Sequence, residues 1–161
     1  MPTLFLKGDL FQADGARTFG VACPVDGTMG SGVAIVFAKR FVGLQDAYAA
    51  HCTGGAFQLG SVFTWHGEGC TVHVLGTVAS ASSKPKLAPL ARALERALDL
   101  TIEAGHDRIS VPRLGAGLDR VRAKRLLDDA SKDRNVTLMV YEQFVRNPSQ
   151  DGADADGAHD D

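Results

Sequence analysis

The chain has 161 residues, of which 45% are hydrophobic and 22% charged, with a formal net charge of −2. That is enough apolar material for one core, which excludes a wholly disordered protein and leaves one domain as the expectation. No apolar run nears the ~20 residues that cross a bilayer, and the opening "MPTLFLKGDL" lacks a basic stretch followed by a long apolar one. The sequence therefore predicts no membrane segment, no secretory leader and a cytoplasmic protein.

The elements follow in chain order from periodicity. "TLFLKG" reads as a short strand, and "TFGVAC" as a second one followed by a Gly/Pro/Asp-rich stretch. "SGVAIVFAKRF" places Val33, Val36, Phe37 and Phe41 at helical spacing, with Lys39 and Arg40 near its end, where cations suit the helix dipole. "GLQDAYAAHC" continues as another helix. "AFQLGSVFTWHGEGCTVHVLGTVA" reads as a hairpin joined by His66-Gly67-Glu68-Gly69. In "KLAPLARALERALDLTIEAG", Leu87, Leu90, Leu94, Leu98 and Ile102 mark one helical face, and Gly105 stops the helix. "RISVP" is a strand, "RVRAKRLLDDASKD" a helix and "VTLMVYEQF" a last strand. Strands interleaved with helices predict a three-layer α/β/α domain with a mixed central sheet over residues 1–146.

Residues 147–161 hold Asp151, Asp154, Asp156, Asp160 and Asp161 and no Lys or Arg, which predicts a disordered acidic tail. Outside that segment, 17 basic residues stand against 14 acidic ones. This suits an anionic ligand and does not argue for duplex nucleic acid. Nothing in the sequence demands more than a monomer. Cys23, Cys52 and Cys70 are odd in number and lack CxxC spacing, which argues against a disulfide framework or a zinc site. His51, His66, His73, His106 and His159 lack ligand spacing, so neither a metal nor another cofactor is expected. His73, in an apolar strand, reads as a satisfied residue.

Ligands of open α/β sheets bind beyond the carboxyl ends of strands. Two such places carry glycines just before a helix: "PVDGTMGSGVAIVF" and "PRLGAGLDRVRA". Small residues let a ligand approach the main chain, and amides at a helix start bind anions. Two loops at neighbouring strand ends could hold a diphosphate from both sides. Neither is a P-loop or a G-x-G-x-x-G fingerprint, and either could be a tight connection only. Asp9, after Gly8 at the first strand's exit, either caps a turn or accepts a hydrogen bond from an adenine amino group.

"KGDLF" (Lys7–Phe11), "MGSGVA" (Met29–Ala34) and "PRLGAGLDR" (Pro112–Arg120), in this order, resemble a macrodomain. The branch they resemble contains terminal ADP-ribose protein glycohydrolase, also called O-acetyl-ADP-ribose deacetylase. "KRFVGLQ" and Lys84-Pro85 also fit, and the resemblance runs nearly to Tyr141. It implies ADP-ribose as ligand. Asp9 would take the adenine amino group, with the Leu10 amide beside it, and Tyr141 at the end of the last strand would flank the ring unless it is a plain strand aromatic. Met29 opens the first loop, where the amides of Gly30, Ser31, Gly32 and Val33 would face one side of the diphosphate and distal ribose. Pro112 opens the second, where those of Gly115, Ala116, Gly117 and Leu118 would face the other.

Hydrolases of this branch use a lysine that attacks the distal ribose C1″ and an aspartate that assists. The aspartate matches Asp119, which alternatively caps the following helix. The lysine position falls on Val78, and valine can be neither nucleophile nor base. Lys84 matches a second family lysine, expected in a loop or at a helix start. Two readings remain open. One is a hydrolase of mono-ADP-ribose esters on Glu or Asp side chains of proteins, or of O-acetyl-ADP-ribose. It would work by a positioned water with Asp119, helped by hydroxyls such as Thr77, Ser80 and Ser82. The other is a reader that binds ADP-ribose without turnover. Release of ADP-ribose from nucleic acid is a more remote third.

Overall fold

The computed structural model describes residues 3–12, 15–30 and 32–144. The expected acidic tail, 147–161, and Ser31 of the first glycine loop lie outside the described residues. The strands are β1 (Thr3–Gly8), β2 (Thr18–Pro24), β3 (Val62–Gly67), β4 (Cys70–Val78), β5 (Arg108–Pro112) and β6 (Thr137–Phe144). The helices are α1 (Val33–Arg40), α2 (Leu44–Cys52), α3 (Leu87–Glu103) and α4 (Arg120–Lys132), with a 3-10 turn at Leu10–Gln12.

One six-stranded sheet runs in the order β1-β6-β5-β2-β4-β3. Among the described residues, only the β3–β4 pair is antiparallel. Its turn is Glu68-Gly69, with φ 54 and 76, because β3 continues through Gly67. Two positive φ values match the twist that a two-residue hairpin needs. The sheet is therefore mixed, as expected, and the helices cover both faces.

On one face α1, α2 and the 3-10 turn bury Leu10, Phe37, Phe41, Leu44 and Tyr48 against Phe19, Val21, Val72 and Val74 of the sheet. Aromatic rings dominate this side. Phe11 meets Phe37 at a centroid distance of 5.0 Å and Phe19 at 5.6 Å, and Phe41 meets Trp65 at 5.7 Å. Each such pair adds about 0.5–1.5 kcal/mol to area burial. On the other face α3 and α4 bury Leu90, Leu94, Leu98 and Leu127 against Leu75, Ile109, Val111, Leu138 and Val140.

The α3 face differs from expectation. Leu90, Ala93, Leu94, Ala97, Leu98 and Thr101 are buried, whereas Ile102 is 36% exposed and Leu87 is half-buried. A stripe at i+4 drifts around a 3.6-residue helix, so by the last turn the buried position has moved back to Thr101. Its hydroxyl bonds the Ala97 carbonyl at 2.8 Å, which lets a polar residue sit there. Gly105, at φ 84, ends the helix as expected. His73 departs too. It is 2% exposed, its Nδ1 pairs with the Thr64 hydroxyl at 2.8 Å, and its Nε2 is buried without a partner among the described residues. Burial, and then the neighbouring His66 and His106, lower its pKa from 6.5 to about 4.

This packing can be checked at two positions. Leu94→Ala should cost about 2–5 kcal/mol in urea unfolding, and Ile102→Ala less than about 1 kcal/mol; equal costs would restore the expected face. Because the folded state holds His73 neutral while the unfolded chain binds its proton, this contribution is complete above pH 6.5 and lost as pH falls through about 4. The loss totals about 3 kcal/mol, and a His73→Gln variant should lose correspondingly less stability than wild type over that window.

Candidate functional site

The sheet's order places β2 and β5 side by side, and their connections leave in opposite directions. β2 leads to α1, on one face, and β5 leads to α4, on the other. Their ladder is reduced to one pair, Phe19 opposite Ser110. Beyond it a cleft of about 350 Å³ opens at the carboxyl ends. Such a switch point is where α/β sheets accept ligands. The cleft is lined by the ends of β2 (Ala22–Pro24) and β4 (Thr77, Val78), the start of α1 (Gly32–Ala34) and the second glycine loop (Pro112, Arg113, Gly115–Leu118). The loop after β4 adds Ala81, Ser83, Pro85 and Lys86, and α3 adds Leu90.

The two glycine loops differ at their helix starts. Gly32 is the N-cap of α1 and offers no side-chain cap, so the first-turn amides of Val33 and Ala34 have no capping group and border the cleft. At α4, Asp119 caps: its Oδ1 accepts from Val121 N at 2.8 Å and from Arg122 N at 3.2 Å. That helix start is therefore occupied, and the second loop can offer only its own amides. Leu118 N already donates to the Gly115 carbonyl at 2.9 Å, which leaves Ala116 and Gly117 as the better placed donors. Gly115 and Gly117, at φ 83 and 89, need the left-handed region.

Of the expected residues, the cleft gathers Gly32, Val33, Thr77, Pro112, Gly115, Ala116, Gly117 and Leu118. Asp119 is exposed and lies outside its lining, one residue beyond Leu118. Both of its capping bonds use Oδ1, and Oδ2 takes part in neither. Met29 is buried in the core at 2%, and Gly30 is exposed and does not line the cleft. Asp9, Leu10 and Tyr141 form a separate group. Leu6 of β1 faces Tyr141 of β6 in register, which carries Asp9 to the same end of the sheet. Asp9 Oδ1 accepts from Phe11 N at 3.0 Å, so it does close a turn. The Leu10 side chain is fully buried, and Tyr141 is buried and lies three residues inside β6 rather than at its end. Burial raises the Tyr141 phenol, Arg108 opposes this, and the Asp9 charge adds to it.

Val78 does line the cleft, so the wall here is a hydrocarbon. Lys84 sits in the exposed loop before α3. Ser83 lines the cleft and the expected Ser80 and Ser82 do not; the Ser80 hydroxyl bonds those of Ser82 and Ser83 within the same turn, Ser83 also accepting from Ser80 N at 3.1 Å. Sequence reasoning missed Lys86 and Arg113, two cations in the lining. Their signal was adjacency to Pro85 and to the second glycine run. Cys23 also lines the cleft, but burial, with a smaller contribution from Cys52, pushes its thiol up to about 12, so it is protonated and inert at neutral pH. All three cysteines are free, and no metal-binding cluster occurs among the described residues.

A Cβ on Gly117 would meet Pro85 Cγ at 2.9 Å, whereas one on Gly30 meets nothing within 4 Å. Gly117→Ala should therefore destabilise the fold by about 1–3 kcal/mol through backbone strain and the Pro85 clash, while Gly30→Ala leaves the thermal midpoint unchanged. The opposite order would remove Pro85 as the brace of the second loop.

Comparison with known proteins agrees with this geometry. The profile of the family described as Macro domain matches residues 22–128. Human ADP-ribose glycohydrolase OARD1 is 27% identical over 140 residues, spanning 85% of this chain and 89% of its own. The macrodomain of Mycobacterium tuberculosis DarG superposes with a TM-score of 0.79 at 22% identity, covering 90% of this chain and 98% of that one. Thermosipho africanus DarTG in complex with ADP-ribose gives a TM-score of 0.70 at 14% identity, over 84% of this chain and 40% of that one. With its mixed six-stranded sheet, its two glycine loops at the switch point and this family match across most of its length, the chain belongs to the macrodomain family.

Proposed function

We propose that this macrodomain binds ADP-ribose and hydrolyses mono-ADP-ribose esters on Glu or Asp side chains of proteins. The observation that carries the reading is the cleft between the uncapped start of α1 and the amides of the second glycine loop. A diphosphate needs such donors on two sides, and a helix start supplies both N–H groups and the positive end of a dipole. Lys86 and Arg113 add positive charge to the same wall. The relative named ADP-ribose glycohydrolase, aligned over most of both chains, supports turnover in addition to binding.

The chemistry has to proceed without a lysine at Val78. In the step we envisage, a water attacks C1″, the C1″–O bond to the protein carboxylate breaks, and the carboxylate leaves with its electron pair. The water's proton passes to solvent. A carboxylate is a good leaving group, so orientation of the ribose and a donor-rich cleft supply most of what is needed. Asp119 Oδ1 is held by the α4 cap, which fixes where Oδ2 points, and this second oxygen orients the water or a ribose hydroxyl. O-acetyl-ADP-ribose presents the same acyl linkage. The engagement of Asp119 in the cap also favours a second reading, a module that binds ADP-ribose and leaves the linkage intact.

The test pairs binding with turnover. ADP-ribose is titrated by calorimetry, and a glutamate-linked mono-ADP-ribosylated protein is incubated with the chain while the label is followed. Binding with release supports the hydrolase, binding without release supports the second reading, and absence of binding rejects both. Asp119→Asn keeps a capping oxygen and should lower kcat about 10-fold or more, the loss of one charge-assisted contact, while Kd changes less than about 3-fold. Equal loss in both would make Asp119 a binding residue.

A further inference from the structure

The first half of α4 carries Arg120, Arg122, Lys124 and Arg125, and Arg113 precedes it in the second glycine loop. Arg113, Gly115, Arg120, Lys124 and Glu142 border a small pocket of about 10 Å³. Arg113 and Gly115 also line the cleft, so this pocket adjoins the cleft at the second glycine loop. Part of this charge is balanced. Glu142 of β6 takes Arg120 at 3.0 Å and Lys124 at 3.4 Å. Among the described residues, Arg113, Arg122 and Arg125 stand in no ion pair.

The position of Glu142 matters. It lies two residues before the end of β6, so the chain leaves the sheet beside this basic run. The C-terminal segment 147–161 holds Asp151, Asp154, Asp156, Asp160 and Asp161 and no Lys or Arg. The residues between Phe144 and Asp151 can span up to about 23 Å, whereas the basic half-turns of α4 rise through only about 9 Å.

We propose that Arg113 and the basic run of α4 take up the acidic segment Asp151–Asp161 of the same chain, and that the segment there competes with anionic ligands at the mouth of the cleft. The ligand in this statement rests on the functional reading above. Exposed pairs of this kind are individually weak. Tethering compensates, because a segment held this close acts at an effective concentration in the millimolar range. Competition is then strongest at low salt and fades as the pairs are screened.

The experiment uses the full chain. Wild type is compared with a variant carrying Asp151→Asn, Asp154→Asn, Asp156→Asn, Asp160→Asn and Asp161→Asn, with ADP-ribose titrated by calorimetry at about 20 and 500 mM NaCl. The variant should bind at least about threefold more tightly at low salt, with the difference gone at high salt. In an Arg122→Glu, Arg125→Glu background the five asparagines should change nothing. A carbodiimide that joins carboxylates to amines should link the segment to Lys124 in wild type. Equal affinities at low salt, or a difference that survives high salt or the double reversal, overturn the proposal. Cross-links that mix isotopically labelled and unlabelled copies also overturn it and assign the patch to a second chain. If neither chain binds ADP-ribose, the functional reading fails by itself. The Lys124 cross-link then decides docking, and its absence rejects it.

Discussion

The site depends on one gap. β2 and β5 are neighbours in the sheet yet share a single pair, Phe19 with Ser110, and their connections turn to opposite faces. A parallel sheet otherwise closes its interior with a continuous ladder. Here the ladder stops early, and the carboxyl ends of both strands, Pro24 and Pro112, border open space. Neither residue has an N–H to give a ladder. The aromatic layer under α1 and α2 and the aliphatic layer under α3 and α4 cover the sheet on its two faces.

That gap is framed by two loops that look alike in composition and differ in what they can donate. The α1 start has glycine at its N-cap, and its first amides are uncapped by any side chain. The α4 start spends two amides on Asp119. A carboxylate at a helix N-cap satisfies donors and meets the dipole favourably. The same carboxylate would repel a phosphate placed over that helix start. The uncapped α1 start is therefore the more favourable of the two for an anion, and the capped α4 start the less favourable.

Much of this was legible in the residues. Strand and helix order followed from periodicity, because each element buries one face and the buried positions recur at its own period. The cleft followed from glycines at two helix starts. The parts that were not legible depend on three-dimensional neighbours. Ile102 and Thr101 exchanged roles because the drift of a helical stripe shows only against the sheet it packs on. Ser83, Lys86 and Arg113 reach the cleft through the path of loops, which composition does not encode. Whether Asp119 capped a helix or faced a ligand could not be separated by spacing, since both uses put an aspartate one residue before the helix. The unsatisfied Nε2 of His73 was invisible for the same reason: its orphaning is a property of what surrounds it.

The contact between Pro85 and Gly117 has a further consequence. Two loops from different strands meet there, with no room for even a methyl group on the glycine. A wall braced in this way is set when the chain folds, not when a ligand arrives. A ligand entering such a cleft surrenders its own freedom but does not have to order the protein around it. On this side, association should then resemble entry into a rigid receptor, and the main chain of the second loop should look the same empty and filled.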